Sequence, residues 1–155
     1  MSSYTDWETE DVAQFFEKMG MWATSAPCHI SPRKLAERVA FLQEELDELK
    51  AAGETNDLAK QVDALIDLVY VAKGTALLLG VEWEKHWDEV QRANLAKEPG
   101  VTSRGNKLDA VKPPGWLPPD HESLLSGQGY AKEDWVRDCK LVDSIDDGDF
   151  GEVAK

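Results

Sequence analysis

Acidic side chains recur at helical spacing in two neighbouring stretches of this sequence, residues 35–51 and 58–79. The five residues are Glu44, Glu45, Glu48, Asp63 and Asp67. Residues three or four apart share one face of an α-helix, so each stretch presents its carboxylates on one side. If the two helices pack antiparallel, all five carboxylates converge between them. We call these five residues the acidic cluster.

Carboxylates held this close repel one another, and burying them is costly unless a cation lies among them. The acidic cluster offers oxygen ligands with no histidine or cysteine nearby in the sequence. Ligand sets of this kind suit hard cations. The pattern therefore predicts a site for Mg²⁺, for which Mn²⁺ can substitute.

A second interpretation of the acidic run stays open at this point, because such runs usually coat a solvated helix face. For Glu44 to Glu48 alone, the two interpretations have about equal support. Asp63 and Asp67 favour the metal site, since they interrupt the otherwise apolar run of residues 62–72. Aspartate is a poor helix former and is rarely buried without a partner. An aspartate pair inside this apolar run therefore indicates a functional role and not a solvated helix face.

The composition bounds the architecture and the partners. The chain has 155 residues, of which 42% are hydrophobic and 30% charged, and this suits one domain with a core of its own. Its formal net charge of −13 argues against binding nucleic acid through the phosphates. The charge does not exclude a phosphorylated small molecule, because bound divalent metals invert the local charge.

The cysteines and the hydropathy pattern predict a compartment. Cys28 and Cys139 are far apart and lack metal-ligand spacing, so we expect both to be reduced. No stretch is long and apolar enough to span a membrane, and residues 1–11 are polar and acidic, unlike a signal peptide. We therefore expect a cytoplasmic protein that binds neither membrane nor nucleic acid.

Helix start and stop signals predict four main helices. A first helix is expected over residues 10–19, with Thr9 as its cap and Gly20 as its end. Ser31 caps a second helix that has Pro32 at its first position, where a missing N–H does no harm. This helix is expected to close at residues 51–53.

The third helix is the most apolar. Asn56 is expected to cap it, and it runs to Leu79 and stops at Gly80. It is apolar on more than one face, so it is either the central helix of a bundle or part of an oligomer interface. A fourth helix is expected over residues 81–96.

The remainder of the chain lacks regular periodicity. Residues 101–120 are loop-like, since the prolines at 113–119 prohibit regular helix or strand. Residues 121–155 form a C-terminal extension with a short helix expected at 132–142. No convincing strand pair is visible. The sequence predicts an all-α bundle domain over residues 1–120, followed by the extension.

The order of the acidic motifs resembles that of the MazG-like all-α nucleotide pyrophosphohydrolases. The matching elements are Glu44-Glu45-x-x-Glu48, Asp67-Leu68-Val69-Tyr70-Val71, Gly74 and Gly80. Two later elements resemble the phage-type branch of this superfamily. They are Asn94-x-x-Lys97 and Lys112-Pro113-Pro114-Gly115-Trp116-x-x-Pro118-Pro119-Asp120. The likeness covers about residues 11–120.

The resemblance implies a bundle of four to five helices whose subunits form homodimers or homotetramers. It implies cleavage of a nucleoside triphosphate, (d)NTP, between the α- and β-phosphates, which gives (d)NMP and pyrophosphate. Glu44, Glu45, Glu48 and Asp67 fall on its metal-binding pattern, and one of the three glutamates is expected to be the general base. The family has an acidic residue where this chain has Ala64, and Asp63 is expected to replace it.

The resemblance also implies substrate contacts. Lys97 is expected to hold phosphates, with Lys107 and Arg104 as further candidates, and Asn94 is expected to bind the sugar or a phosphate. The base needs a flat apolar surface, for which the candidates are Phe15, Phe16 and Trp22. For each aromatic residue taken singly, an ordinary core position is the alternative. Trp116 is expected to pin the proline-rich loop to a helix or a second subunit.

Other interpretations remain beside a (d)NTP pyrophosphohydrolase. Some phage-type members prefer guanine nucleotides, so a preference for (d)GTP is one specialisation. A non-catalytic helical dimerisation module would explain the apolar third helix, although not Asp63 and Asp67. Hydrolysis of a related metabolite, such as phosphoribosyl-ATP or an alarmone, is a third possibility. His29, His86 and His121 are scattered along the chain, and we expect none to be catalytic.

Overall fold

A computed structural model describes residues 6–21, 23–102, 104–105 and 109–131 of the chain. Five helices and one short strand pair make up this part. The helices are α1 (Trp7–Lys18), α2 (Pro32–Glu54), α3 (Leu58–Leu79), α4 (Trp83–Leu95) and α5 (His121–Gly127). The strands are β1 (Glu98–Gly100) and β2 (Asp109–Val111), which pair antiparallel with Pro99 opposite Ala110. The predicted all-α helical class is confirmed.

Helices α2 and α3, the two longest helices, pack against each other as an antiparallel hairpin. The Ser31 side chain accepts from the N–H of Lys34 at 3.2 Å, so α2 begins where the sequence predicts, with Pro32 in its first turn. At the far end of α3, Gly80 adopts a left-handed φ of 66° and terminates the helix. Local signals therefore determine both outer ends of the hairpin.

Helix α1 packs across the second half of α3 and completes the core. The buried residues of this core are Val12, Phe16, Ile30, Leu77 and Leu78. A buried lysine of α3, Lys73, holds the start of α1 in place. Its ammonium group lies 2.7 Å from Asp6 and 3.0 Å from Glu8, so the charge is paired on burial.

Two glycines permit close approach within this core. A Cβ on Gly74 would lie 3.0 Å from the ring of Phe16 and 3.1 Å from the guanidinium of Arg38. A Cβ on Gly80 would lie 2.1 Å from the carbonyl oxygen of Ala26, which is closer than any real contact. The loop before α2 can therefore pass over the end of α3 only because residue 80 has no side chain.

Several predicted boundaries are wrong by a few residues, each for a local reason. Helix α1 begins at Trp7 because Asp6 caps it, accepting from the N–H of Thr9 at 2.9 Å, so Thr9 is inside the helix. Asp57, and not Asn56, caps α3; Asn56 instead takes a left-handed φ of 53° in the connecting turn. Helix α2 continues one residue past its predicted closure, and α4 is two residues shorter at its start and one at its end.

The β1–β2 pair corrects the prediction that no strand pair exists. Each strand has only three residues, and Pro99 lies within the first, so neither gives an alternating pattern. The segment after the strands contains α5 at residues 121–127, and the helix predicted at 132–142 lies outside the described residues.

No single helix in the described part of the chain is long and apolar enough to cross a membrane. Helices α3 and α4 reach that length and composition only when they are counted together, across a bend of 117°.

Candidate functional site

Hydrogen bonds across the α2–α3 hairpin determine which residues face one another. Near the open end, the Arg38 side chain donates to the carbonyl oxygen of Val71 at 2.8 Å. Near the turn, the Gln61 amide donates to the carbonyl oxygen of Ala52 at 3.3 Å. Interpolating between these contacts along two antiparallel helices places Glu45 at the level of residue 66, next to Asp67, so the acidic cluster spans the middle of the hairpin.

Glu45 is the centre of the acidic cluster. Burial raises the pKa of its carboxyl group, and the charges of Asp67, Glu48, Glu44 and Asp63 raise it further, in that order. All four other acids of the cluster therefore act on this one side chain. Its Oε2 atom is buried and has no hydrogen-bond partner. A carboxylate oxygen left in this state is costly unless a cation or a proton reaches it.

The other four acids of the cluster are exposed at the edge of the hairpin. Beside Glu44 and Glu48, an open groove of about 580 Å³ runs along α2. Its lining residues are Ala40, Gln43, Glu44, Asp47, Glu48 and Ala51. The short side chains of Ala40 and Ala51 leave room for a ligand beside the carboxylates of Glu44 and Glu48.

The donor set fits a hard divalent cation in its chemistry, since all five groups are carboxylates and the buried oxygen of Glu45 lacks a partner. The ligand geometry is not assembled in advance. Within the described ranges, no three His, Cys, Asp or Glu side chains are positioned to hold one metal ion. Because four of the acids are exposed, their side chains are free to change rotamer around an ion.

The expected phosphate-binding residues lie at the end of α4. The Lys97 ammonium group donates to the side-chain oxygen of Asn94 at 2.7 Å, so the two residues act as one unit. Neither is hydrogen-bonded to the acidic cluster within the described part of the chain. Arg104 instead makes two hydrogen bonds to Asp109, at 2.8 and 3.0 Å, and holds the end of the β1–β2 pair.

The aromatic candidates have different positions. Phe15 on α1 is 39% exposed and packs edge-on against Tyr70 of α3, with the ring centroids 5.8 Å apart. Phe16 is 3% exposed and belongs to the core, so it is not available to stack on a base. Trp22 and Lys107 lie outside the described residues.

Trp116 pins the proline-rich loop onto α4, as the sequence predicts. Its indole N–H donates to the carbonyl oxygen of Ala93 at 2.7 Å, and Arg92 donates to the carbonyl oxygen of Pro118 at 3.0 Å. The ring also carries two cations, with the Lys112 ammonium group 4.5 Å and that of Lys97 5.8 Å from its centroid. These contacts place two ammonium groups beside one indole ring.

Sequence reasoning missed two charged residues near these sites. Lys112 is exposed and begins the sequence motif at residues 112–120, but the motif alone gives it no contact. Arg38 is 7% exposed and bonds Val71 and Thr75 of α3, and burial lowers its pKa. No sequence signal separates a buried arginine from a surface one on an amphipathic helix.

The described part of the chain also brings two histidines together. The Nδ1 atoms of His86 on α4 and His121 on α5 are 2.9 Å apart, so these two residues are not scattered in space. His29 is elsewhere, with its Nε2 atom 2.5 Å from the hydroxyl oxygen of Tyr130.

Comparison with known proteins finds a family whose model covers the hairpin. A family model described as phosphoribosyl-ATP pyrophosphohydrolase matches residues 12–94, more than half of the chain. The match includes all five residues of the acidic cluster and ends at Asn94. No curated protein sequence matches the chain.

Proposed function

The chain belongs to the phosphoribosyl-ATP pyrophosphohydrolase family, within the MazG-like all-α superfamily, and we propose that it cleaves (d)NTP to (d)NMP and pyrophosphate with Mg²⁺. Family membership establishes the general activity, hydrolysis of a nucleotide pyrophosphate bond. The choice of a nucleoside triphosphate and of Mg²⁺ is our proposal.

One observation carries this proposal: the buried, unpartnered Oε2 atom of Glu45 within the field of four other carboxylates. A scaffold protein gains nothing from such an arrangement, because like charges destabilise the hairpin that holds them. A site that binds hard cations, in contrast, needs several carboxylates held close together. The non-catalytic dimerisation module is therefore the weaker explanation.

Glu44, Glu45, Glu48 and Asp67 would hold the metal, with Asp63 taking the place of the acid that the family has at Ala64. A bound divalent cation neutralises phosphate oxygens and favours attack at the phosphorus. Glu44 and Glu48, exposed beside the groove, would orient water and accept its proton. We assign the general base to one of the three glutamates of α2.

Substrate binding would fall to residues outside the cluster. Lys97, held by Asn94, supplies a positive charge for phosphate oxygens not covered by metal. Phe15, partly exposed on α1, offers a face for the base. Nothing in these contacts selects a base, so a preference for (d)GTP rests on the phage-type motifs at residues 94–97 and 112–120.

We also propose that a second copy of the chain covers the hairpin. Large apolar side chains on its outer faces are about half exposed or more. They include Leu35, Val39 and Leu46 of α2 and Leu58, Val62, Leu65, Ile66 and Val69 of α3. Apolar surface of this extent is rare on monomers and marks an interaction face. The predicted second apolar face of the third helix thus favours the oligomer-interface interpretation over a fully enclosed central helix.

A second candidate substrate is phosphoribosyl-ATP, which the description of the matching family names. It carries the same type of phosphoanhydride as a nucleoside triphosphate, so the acidic cluster suits both. The two candidate substrates differ in the group attached to the phosphates, which the protein must also bind.

A substrate panel tests the proposal. Purified protein with Mg²⁺ is incubated with each (d)NTP, with phosphoribosyl-ATP and with an alarmone, and the release of pyrophosphate is measured. We expect release from at least one (d)NTP, and none without divalent metal. Release from phosphoribosyl-ATP alone would establish the second candidate, and no release from any compound would contradict both.

Two variants connect the activity to the cluster. Glu48→Gln and Asp67→Asn should abolish turnover and keep helical content, because each removes a ligand while relieving repulsion. Glu54→Gln is the matched control, since Glu54 lies on the same helix but belongs neither to the acidic cluster nor to the lining of the groove. Full activity in both cluster variants would refute the assigned site.

A further inference from the structure

Two aromatic side chains lie one helical turn beyond the acidic cluster, toward the open end of the α2–α3 hairpin. Phe41 precedes Glu45 by four residues on α2, and Tyr70 follows Asp67 by three residues on α3. Residues at these spacings share a helix face. Interpolating between the two contacts that set the register of the hairpin places Phe41 at the level of residue 69, next to Tyr70. The two rings therefore continue the line of carboxylates along one side of the hairpin.

Phe41 lies on the side of α2 that carries the exposed acids of the cluster, and the residue is 46% exposed. At 3.6 residues per turn, it is about 20° from Glu48 and about 60° from Glu44 around the helix axis. The exposed leucines and valine of α2 that we assign to the second copy of the chain lie about 120–160° away from Phe41. Phe41 therefore belongs to the edge of the acidic cluster and not to that apolar face.

Neighbouring side chains hold both rings in place. The guanidinium carbon of Arg38 lies 5.5 Å from the centroid of the Phe41 ring, and Arg38 is itself held by its hydrogen bond to Val71. Tyr70 packs partly buried against the core, with its ring centroid 5.8 Å from that of Phe15 on α1. Aromatic surfaces fixed in this way lose little conformational entropy when a ligand binds, which favours binding.

The position of the rings suits a flat heterocycle attached to a phosphate chain. Along the helix axes, Phe41 is about 6 Å from Glu45 and Tyr70 is about 4.5 Å from Asp67. A ligand whose phosphates are held at the carboxylates through a metal ion would span this step with its sugar. Its base would then reach the rings, and aromatic side chains stack on any nucleobase because every base has a π-face. An inorganic polyphosphate has no group to place there.

From this placement we propose that Phe41 and Tyr70, extended by Phe15, form the wall on which the nucleobase of the substrate stacks. The inference rests on the proposed function, because the acidic cluster must hold the phosphates for the base to reach this wall. It assigns the choice of a nucleotide over an inorganic polyphosphate to residues outside the acidic cluster. Phe41 is the residue to test first, because it is the more exposed of the two facing rings.

The test measures binding without turnover, by calorimetry of the full-length protein with Mg²⁺ and the four α,β-methylene dNTPs. In these analogues a carbon replaces the bridging oxygen of the bond to be cut. Phe41→Ala should bind the preferred analogue about tenfold more weakly, the loss expected for one base–aromatic stack. Phe41→Trp should keep the affinity, because it restores a ring. Trp7→Ala is the matched control, since Trp7 is a 72% exposed aromatic residue at the start of α1, and it should bind like the unmodified protein.

Methylenediphosphonate, which has the same bridge and no base, should bind Phe41→Ala and the unmodified protein equally. Two results would overturn the proposal. One is an unchanged analogue affinity in Phe41→Ala, including the case in which light scattering shows that this variant has only lost its pairing with a second copy. The other is an equal loss of affinity for methylenediphosphonate, which would place the defect at the phosphates. Either result with continued pyrophosphate release from the unmodified protein refutes the stacking wall alone, whereas absence of both release and analogue binding refutes the proposed function.

Discussion

Arg38 of α2 donates a hydrogen bond of 2.8 Å to the main-chain carbonyl oxygen of Val71 in α3. Its Nε atom also donates to Thr75 at 3.1 Å, and the residue is 7% exposed. This contact joins the two long helices at one end of the hairpin, seven residues before Glu45. Two helical turns span about 10.5 Å, so Arg38 determines how α2 lies against α3 where the acidic cluster begins.

Replacing Arg38 by methionine should destabilise the protein by about 1–3 kcal/mol, because the side-chain hydrogen bonds from α2 to Val71 and Thr75 of α3 are lost. Urea unfolding followed by circular dichroism measures the change. Arg33→Gln is the control, since Arg33 lies on the same helix and is exposed in a pair with Glu37. Equal stability of the two variants would show that the Arg38 contact does not hold the hairpin.

The Lys73–Asp6 pair predicts a pH-dependent stability. Burial opposes ionisation of Asp6, but hydrogen bonds from Lys73 and Thr9 outweigh it and lower its pKa below 3.8. A lowered folded-state pKa adds stability above the unfolded value, and this is lost as the pH falls through the folded value. Asp6→Asn should therefore be less stable than the unmodified protein at pH 7, by about 1–3 kcal/mol.

That stability difference should shrink as the pH drops below 3.8, where Asp6 takes up a proton in the unmodified protein. Denaturant unfolding at a series of pH values measures it. A difference that stays constant down to about pH 3 would contradict the ion pair as its source.

Gly80→Ala should be strongly destabilising. The left-handed φ of 66° costs an alanine about 1–2 kcal/mol, and the added Cβ would collide with the carbonyl oxygen of Ala26. Gly53→Ala is the matched control, because Gly53 lies inside α2 with open space around it. It should stabilise by about 0.4–1 kcal/mol. Thermal unfolding measures the stability of both variants. A Gly80→Ala variant as stable as the unmodified protein would contradict the close approach of the Ala26 carbonyl oxygen to residue 80.

Lys112, whose ammonium group lies 4.5 Å from the centre of the Trp116 ring, is expected to help bind the substrate's phosphates. Lys112→Gln should raise KM about tenfold and leave kcat nearly unchanged, the effect of losing one hydrogen bond to a charged group. Lys60→Gln is the control, since Lys60 is exposed on α3 and its nearest acidic partner is Asp57 at 4.0 Å. Steady-state kinetics measure kcat and KM, and an unchanged KM in Lys112→Gln would show that Lys112 does not bind the substrate.

The parts of the fold that sequence predicts are those determined by local chemistry. Ser31 and Pro32 mark the start of α2, and Gly80 marks the end of α3, because capping and left-handed backbone depend on the residues at those positions. The start of α1 was missed because Asp6 and Thr9 can both cap a helix. Lys73, which is distant in sequence, binds Asp6, and this contact favours Asp6 over Thr9 as the cap.

The acidic cluster was predictable within each helix and less so between helices. Spacing alone places Glu44, Glu45 and Glu48 together, whereas the pairing of Glu45 with Asp67 depends on a register held by Arg38 and Gln61. Contacts that join distant segments leave no periodic pattern. For that reason the β1–β2 pair and the meeting of His86 with His121 were not foreseen.

The central claim is that carboxylates of α2 and α3 gather a divalent cation around Glu45. Titration of Mn²⁺ followed by electron paramagnetic resonance tests this directly in the unmodified protein, in Glu45→Gln and in the control Glu54→Gln. The account predicts that Glu45→Gln binds Mn²⁺ at least about tenfold more weakly, while its metal-free form melts at a higher temperature because repulsion is relieved. Equal Mn²⁺ affinity in all three proteins, with no rise in the melting temperature of Glu45→Gln, would contradict it.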